Sequence, residues 1–232
     1  MGTALNVIAI LVGGALGLLL GPRLPDRVRQ TVVAGMGLFT LAYALKQFFT
    51  TANALLVLGA ILIGALLGEW WQIEAGMARL GAWLERKFSP GSVDGQAASR
   101  RFVRGFLSAS LIFCIGPMAI LGSIQDGVTG DFSTLAIKSI LDGFIALAFA
   151  SSLGVGVLFS ALPILVYQGS ITLLAAQVQA VVTPAMMTEM TATGGIILMG
   201  VAVSSLLEIR QIRAGNFLPA LIIAPILAAI FL

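Results

Sequence analysis

Long apolar runs alternate with short polar or Pro/Gly-containing turns along most of the chain. Residues 3–20, 30–49, 54–71, 103–124, 132–151, 153–168, 191–208 and 217–232 each read as a spanning helix. Such runs approach the ~18 apolar residues needed to cross a hydrocarbon core of ~30 Å. The predicted fold class is therefore all-α, a polytopic transmembrane helix bundle of about eight spans.

Two stretches break this pattern. In 73–88, Ile73, Met77, Leu80, Leu84 and Phe88 share one helical face, while Glu74, Arg79, Glu85 and Arg86 lie elsewhere around it. That is an amphipathic helix lying on a membrane surface, with Ser89-Pro90-Gly91-Ser92 ending it. Segment 170–183 is apolar but short. As a helix it covers only about 21 Å, so it is expected to be re-entrant or interfacial. The organisation that follows is a first three-span half (1–72), a cytoplasmic amphipathic helix and loop (73–101) and a second three-span half (102–169). The re-entrant segment (170–190) and two C-terminal spans (191–232) complete it.

Small residues mark close helix contacts. Gly13 and Gly17, and again Gly64 and Gly68, stand four apart on one face, which suits either packing inside the chain or a homo-oligomer seam. Trp70-Trp71 beside Glu69 reads as an interfacial anchor. GLFTLAYA at 37–44 returns as GFIALAFA at 143–150, which would match the first two spans to the fourth and fifth. A three-plus-three inverted repeat of this kind is a common plan of secondary transporters.

Composition narrows the class. At 59% apolar and 10% charged, with a mean hydropathy of +1.04, the chain is far from the roughly 25% charged residues of soluble domains. The net charge of +3 reflects loop placement rather than nucleic-acid binding. Basic residues crowd the loops after the first span (Arg23, Arg27, Arg29), the third (Arg79 to Arg104) and the seventh (Arg210, Arg213), whereas the loop after the fourth has Asp126 and Asp131. Basic loops stay cytoplasmic, so both termini are expected outside, provided 170–183 does not cross. The first run lacks a basic start and a small-residue cleavage site, so it is expected to remain a span rather than a signal peptide. Cys114 is the only cysteine and there is no histidine. That excludes an internal disulfide framework and a cysteine-cluster metal site, and leaves any internal proton carrier to a carboxylate. No cofactor is expected, and whether a metal ion binds stays open.

Candidate chemistry gathers in 102–152. Gly116-Pro117 interrupts the fourth span; Pro117 cannot donate to the Phe113 carbonyl, and Pro163 likewise frees that of Phe159. Freed carbonyls can bond neighbouring helices or coordinate a cation. The next span carries Lys138 and Asp142, four apart and on one face. A charge at mid-span costs roughly 2.5–3.5 kcal/mol. Two readings are open: a mutually neutralising pair that glues helices, or a carboxylate that binds a cation or proton with Lys138 as an internal substitute charge. Ser108, Ser110, Ser123 and Gln125 offer a polar path along the fourth helix.

Through its CIGPMAILGSIQDG run, the Lys138–Asp142 helix and the GTALNVIAILVGGALG start, the chain resembles, over essentially its full length, the YqgA/YdfK-like family of bacterial inner-membrane proteins. The resemblance implies a polytopic protein of the bacterial plasma membrane and brings no substrate or catalytic residue with it.

The expected function is an integral membrane transport protein, a secondary transporter or ion-coupled carrier for a small solute or ion. Its predicted site residues are Asp142, Lys138, Gly116, Pro117, Phe113, Ser123, Gln125 and Phe159. Expected partners are the bilayer, a small solute or ion, and a second copy meeting at Gly13, Gly17, Gly64 and Gly68. The alternatives are an ion channel, or a scaffold or sensor that recruits partners through helix 73–88. No enzyme is expected: there is no histidine, no carboxylate pair at catalytic spacing and no serine with an evident base.

Overall fold

The computed structural model describes residues 1–88 and 95–232, and among these every regular element is helical. In chain order they are α1 (Gly2–Leu20), α2 (Asp26–Phe48), α3 (Ala54–Trp71), α4 (Ile73–Phe88), α5 (Gly95–Cys114), α6 (Pro117–Thr129), α7 (Ser133–Leu153), α8 (Ala161–Leu173), α9 (Ala175–Val181), α10 (Pro184–Val201) and α11 (Ala220–Phe231). Seven described helices, counting short 3-10 and π extensions, are long and apolar enough to cross a membrane. The α5–α6 pair, bent by 60° at Gly116-Pro117, is an eighth if its two helices count as one span. The turn predicted at Ser89-Pro90-Gly91-Ser92 lies outside the described residues.

The bend follows from local chemistry. Gly116 takes φ 159°, ψ 147°, the extended backbone favoured before a proline. Pro117 then starts α6 at the first helical position, where a missing N–H costs nothing. Two predicted boundaries move. Residues 184–190, expected in the re-entrant segment, instead join the following span in one helix from Pro184 to Val201, which starts where the Thr183 hydroxyl accepts from the Met186 N–H at 3.2 Å. Gly194-Gly195 therefore lies inside α10, where a side chain on Gly195 would meet the Ala44 carbonyl oxygen at 2.6 Å. Pro163 does not break a span either. The break is at Gly154 (φ 86°), followed by a 3-10 segment, Val155–Ser160, and Pro163 sits in the first turn of α8.

The predicted glycine seam is occupied within the chain. A Cβ on Gly13 would lie 2.1 Å from the Gly143 carbonyl oxygen, and one on Gly17 2.2 Å from that of Leu147. On the other pair, a Cβ on Gly64 would lie 2.5 Å from the Ala220 backbone nitrogen and one on Gly68 1.9 Å from the Asn216 carbonyl oxygen. These glycines bring α1 onto α7, and α3 onto α11 and the turn before it. Behind α1 and α7, Ile10, Ala146, Phe149, Ala150 and Ile164 form the main core.

The ends of the bundle differ in chemistry. At one, Arg29 and Arg101 both donate to the Ser152 carbonyl and Arg104 donates to that of Ser205. At the other, Asp126 accepts from the Met1 ammonium and the Gly2 N–H, each at 3.0 Å. Glu189, wholly buried, accepts from the Thr51 hydroxyl at 2.6 Å and the Ala52 N–H at 2.8 Å.

Candidate functional site

A cavity of about 420 Å³ opens between α2, the α5–α6 bend and α7. Its walls are mostly apolar, contributed by residues such as Met36, Phe39, Ile112 and Phe149. Lys138 and Asp142 stand on its α7 side, with Gly116 and Pro117 of the bend beside them. From α2, Thr40 and Tyr43 add two hydroxyls to the lining. Four predicted site residues thus converge on one space.

Lys138 and Asp142 are 6% exposed each and form an ion pair through Asp142 Oδ2. Their spacing of four puts them one helical turn apart on the inner face of α7, so the pair forms without distorting the helix. The same Oδ2 accepts from Asn6 Nδ2 of α1 at 3.0 Å. Asn6 Nδ2 also donates to Gln168 Oε1 of α8 at 2.8 Å. A carboxylate only accepts, so the amide nitrogen of Asn6 must face it. Among the described residues, Asn6 Oδ1 and Gln168 Nε2 are then left buried without partners, one acceptor and one donor. One turn towards the end that holds Asp126, the Thr3 and Thr172 hydroxyls lie 3.3 Å apart. A polar seam therefore runs between α1 and α8 from that end to Asp142, behind the cavity.

The remaining predicted site residues lie elsewhere. Phe113, expected to contribute its carbonyl, has its ring buried in the main core and is not among the residues that line the cavity. The Phe159 ring stacks at a tilt on Phe102, 5.3 Å between centroids, in a cluster with Leu84 and Phe106; the helix break upstream of Pro163 removes the reason for placing it at the site. Ser123 donates to the Ala119 carbonyl of its own helix at 2.6 Å. Gln125 donates to Asp131 Oδ2 at 2.7 Å and accepts from the Thr134 hydroxyl at 2.8 Å, bracing the α6–α7 turn. Of the polar path expected along the fourth helix, Ser123 and Gln125 turn to local partners, and Ser108 and Ser110 are buried with hydroxyls that have no partner among the described residues.

Asn6, Gln168, Thr40 and Tyr43 are the residues that sequence reasoning missed. Their signal is faint: each is one polar residue within an apolar run. No group of three or more His, Cys, Asp or Glu side chains gathers as a metal site among the described residues.

Comparison with known proteins finds relatives that match along nearly their whole length. It is 34% identical over 229 residues to the "Uncharacterized protein YqgA" of Escherichia coli (strain K12), covering 99% of this chain and 96% of that one. It is 28% identical, covering 97% and 94%, to the "Uncharacterized membrane protein YdfK" of Bacillus subtilis (strain 168). No solved structure matches. The candidate spans and the second relative agree on a membrane location. With residues 1–229 matched end to end by "Protein of unknown function (DUF554)", the chain belongs to the DUF554 family.

Proposed function

We propose that the protein is a secondary transporter or ion-coupled carrier for a small solute or ion. The cavity at the α5–α6 bend is its substrate chamber and Asp142 its coupling carboxylate. The observation that carries this reading is that the Lys138–Asp142 pair lines a cavity instead of being sealed between two packed helices. Lys138 neutralises Asp142 while the site is empty. A cation or proton that takes over Asp142 releases the ammonium towards the cavity, so the carboxylate is never buried alone. Asn6 holds Asp142 in place during the exchange, and the α5–α6 bend offers backbone carbonyls to the incoming ion.

Repeat positions support the same plan. Phe39 and Tyr43 of GLFTLAYA match Ile145 and Phe149 of GFIALAFA, and all four line the chamber, as an inverted repeat with its site between the halves would require. The crowding of arginines at one end of the bundle supports a bacterial inner-membrane protein with that end cytoplasmic and both termini outside.

The test uses purified protein in liposomes holding a trapped pH dye or a sodium indicator, under an imposed ion gradient. Wild type moves the coupling ion, and Asp142→Asn abolishes that movement while still eluting as folded protein, with a melting temperature lowered by the loss of one partner of the buried pair. Normal ion movement in a folded Asp142→Asn protein would sink the assignment.

A further inference from the structure

A second cavity, of about 780 Å³, lies at the arginine-rich end of the bundle, between α4, α5 and the chain that follows α10. Arg79, Arg100, Arg104 and Arg210 line it, with Glu208 as its one acid. Arg104 is committed: it pairs with Glu208 and donates to the Ser205 carbonyl. Arg79, Arg100 and Arg210 pair with no carboxylate among the described residues and are exposed. A basic loop on the cytoplasmic side accounts for arginines at this end. It does not account for three arginines without a carboxylate partner around a single cavity, of which Arg79 donates only to the Ala75 carbonyl of its own helix, at 3.3 Å.

The rest of the lining separates two sources of anion. Val103 and Leu107 of α5, with Ala78 and Ala82 of α4, give the cavity an apolar wall. A free anion has no use for that wall, whereas a lipid sets its glycerol and upper chain against it. α4 itself exposes Leu80 and Trp83, with Lys87 Nζ 5.0 Å from the Trp83 ring centroid, an amphipathic surface suited to the headgroup boundary. Where α10 ends, a π-turn, Ala202–Leu206, brings Ser204 and Ser205 to the cavity as hydroxyl donors.

We infer that this cavity binds the phosphodiester headgroup of an anionic membrane lipid, held by Arg79, Arg100 and Arg210 against the apolar wall of α4 and α5. Basic pockets at the cytoplasmic ends of membrane helices recognise such headgroups by charge and hydrogen bonding. The site is separate from the Asp142 chamber, so its occupancy is measured without reference to transport.

The experiment compares spin-labelled phosphatidylglycerol with spin-labelled phosphatidylcholine at the surface of the full-length protein in vesicles. The expected result is a preference for phosphatidylglycerol of roughly fivefold per engaged arginine, reduced by roughly 25-fold in the Arg100→Gln/Arg210→Gln variant. Arg23→Gln/Arg27→Gln, which removes two charges outside this cavity, keeps the preference. Retained preference in the first variant, or equal loss in both, overturns the assignment. Millimolar inorganic phosphate should leave the preference unchanged. If it abolishes the preference, the cavity takes a free anion and the lipid is wrong.

Discussion

Asn6 on α1 donates one amide nitrogen to Asp142 Oδ2 at 3.0 Å and to Gln168 Oε1 at 2.8 Å, tying three helices through a single atom. Removing that side chain leaves both acceptors without it. Side-chain hydrogen bonds in membrane proteins average ~0.6 kcal/mol with a maximum near ~1.7, so Asn6→Ala should destabilise by roughly 1–3 kcal/mol once the cost of stranded acceptors is added. Gln168→Leu should cost less, because it also removes the unpartnered Nε2. Unfolding in mixed micelles of increasing denaturing detergent reads both. A larger loss in Gln168→Leu would mean that Nε2 is engaged after all.

The Lys138–Asp142 pair separates structure from function through a double-mutant cycle. Breaking a buried pair from one side costs about 3–5 kcal/mol, while replacing both partners by apolar residues of similar shape is near neutral. Lys138→Met and Asp142→Leu should each destabilise strongly, and the double variant should recover most of the loss. Ion movement should stay absent in the double variant. Recovery of stability and flux together would make the pair a structural fastener and nothing more.

Much of this was legible in the chain before any coordinates. Spans are visible because their signal is local: apolar length against membrane thickness. The Lys138–Asp142 pair and the Gly116-Pro117 break are legible for the same reason, since each is set by residues within one helical turn. The partners of Asp142 are not. Asn6 and Gln168 meet it from helices far away in sequence, and nothing local distinguishes them from any polar residue in an apolar run. Phe159 enters the predicted site only because Pro163 reads as a mid-span proline, whereas Pro163 lies in the first turn of α8. The Gly154 and Gly156 pair carried the better signal, since a Cβ on Gly156 would sit 2.0 Å from the Phe102 carbonyl oxygen.

Glycines that look alike in sequence should behave oppositely. Gly68→Ala places a methyl 1.9 Å from the Asn216 carbonyl oxygen and Gly13→Ala one 2.1 Å from that of Gly143, so both must separate packed backbones. Overpacking of this kind costs about 1–3 kcal/mol or more. Gly76 in α4 has nothing within 4 Å of its would-be Cβ, and Gly76→Ala should stabilise by up to ~1 kcal/mol through helix propensity. Melting temperatures of the three variants suffice to decide it. Equal losses at Gly13 and Gly76 would contradict the α1–α7 contact.

Glu189 is a carboxylate with no exposed surface, and its role is to hold the α2–α3 turn. Beyond Thr51 and Ala52, it accepts from the Asn53 N–H at 3.3 Å, and Asn53 caps α3 by accepting from the Leu55 N–H at 3.1 Å. Glu189→Ala strands the Thr51 hydroxyl and the Ala52 N–H, while the Asn53 N–H keeps the Thr51 hydroxyl oxygen at 3.0 Å, and should cost about 2–5 kcal/mol. Thr51→Val removes one of those donors and should cost about 1–2 kcal/mol. Hydrogen exchange of the Ala52 and Asn53 amides locates the effect, and unchanged protection in Glu189→Ala would refute the capping role.

Glu74, in the first turn of α4, gives a pH signature outside the spans. Its Oε2 accepts from the Gly215 N–H at 2.8 Å, and its own N–H donates to Asn216 Oδ1 at 2.8 Å, fastening α4 to the turn before α11. Burial raises its pKa above the ordinary 4.5, outweighing the Gly215 hydrogen bond and the Arg213 charge, which both lower it. The folded state then binds more protons than the unfolded one, so this group's contribution to stability is complete below pH 4.5 and is lost as pH rises through the folded pKa. Glu74→Gln keeps an acceptor for Gly215 but cannot ionise. Its melting temperature should therefore lack the decline that wild type shows from about pH 4.5 upward, and parallel profiles for the two proteins would show that folding leaves the Glu74 pKa at its unfolded value.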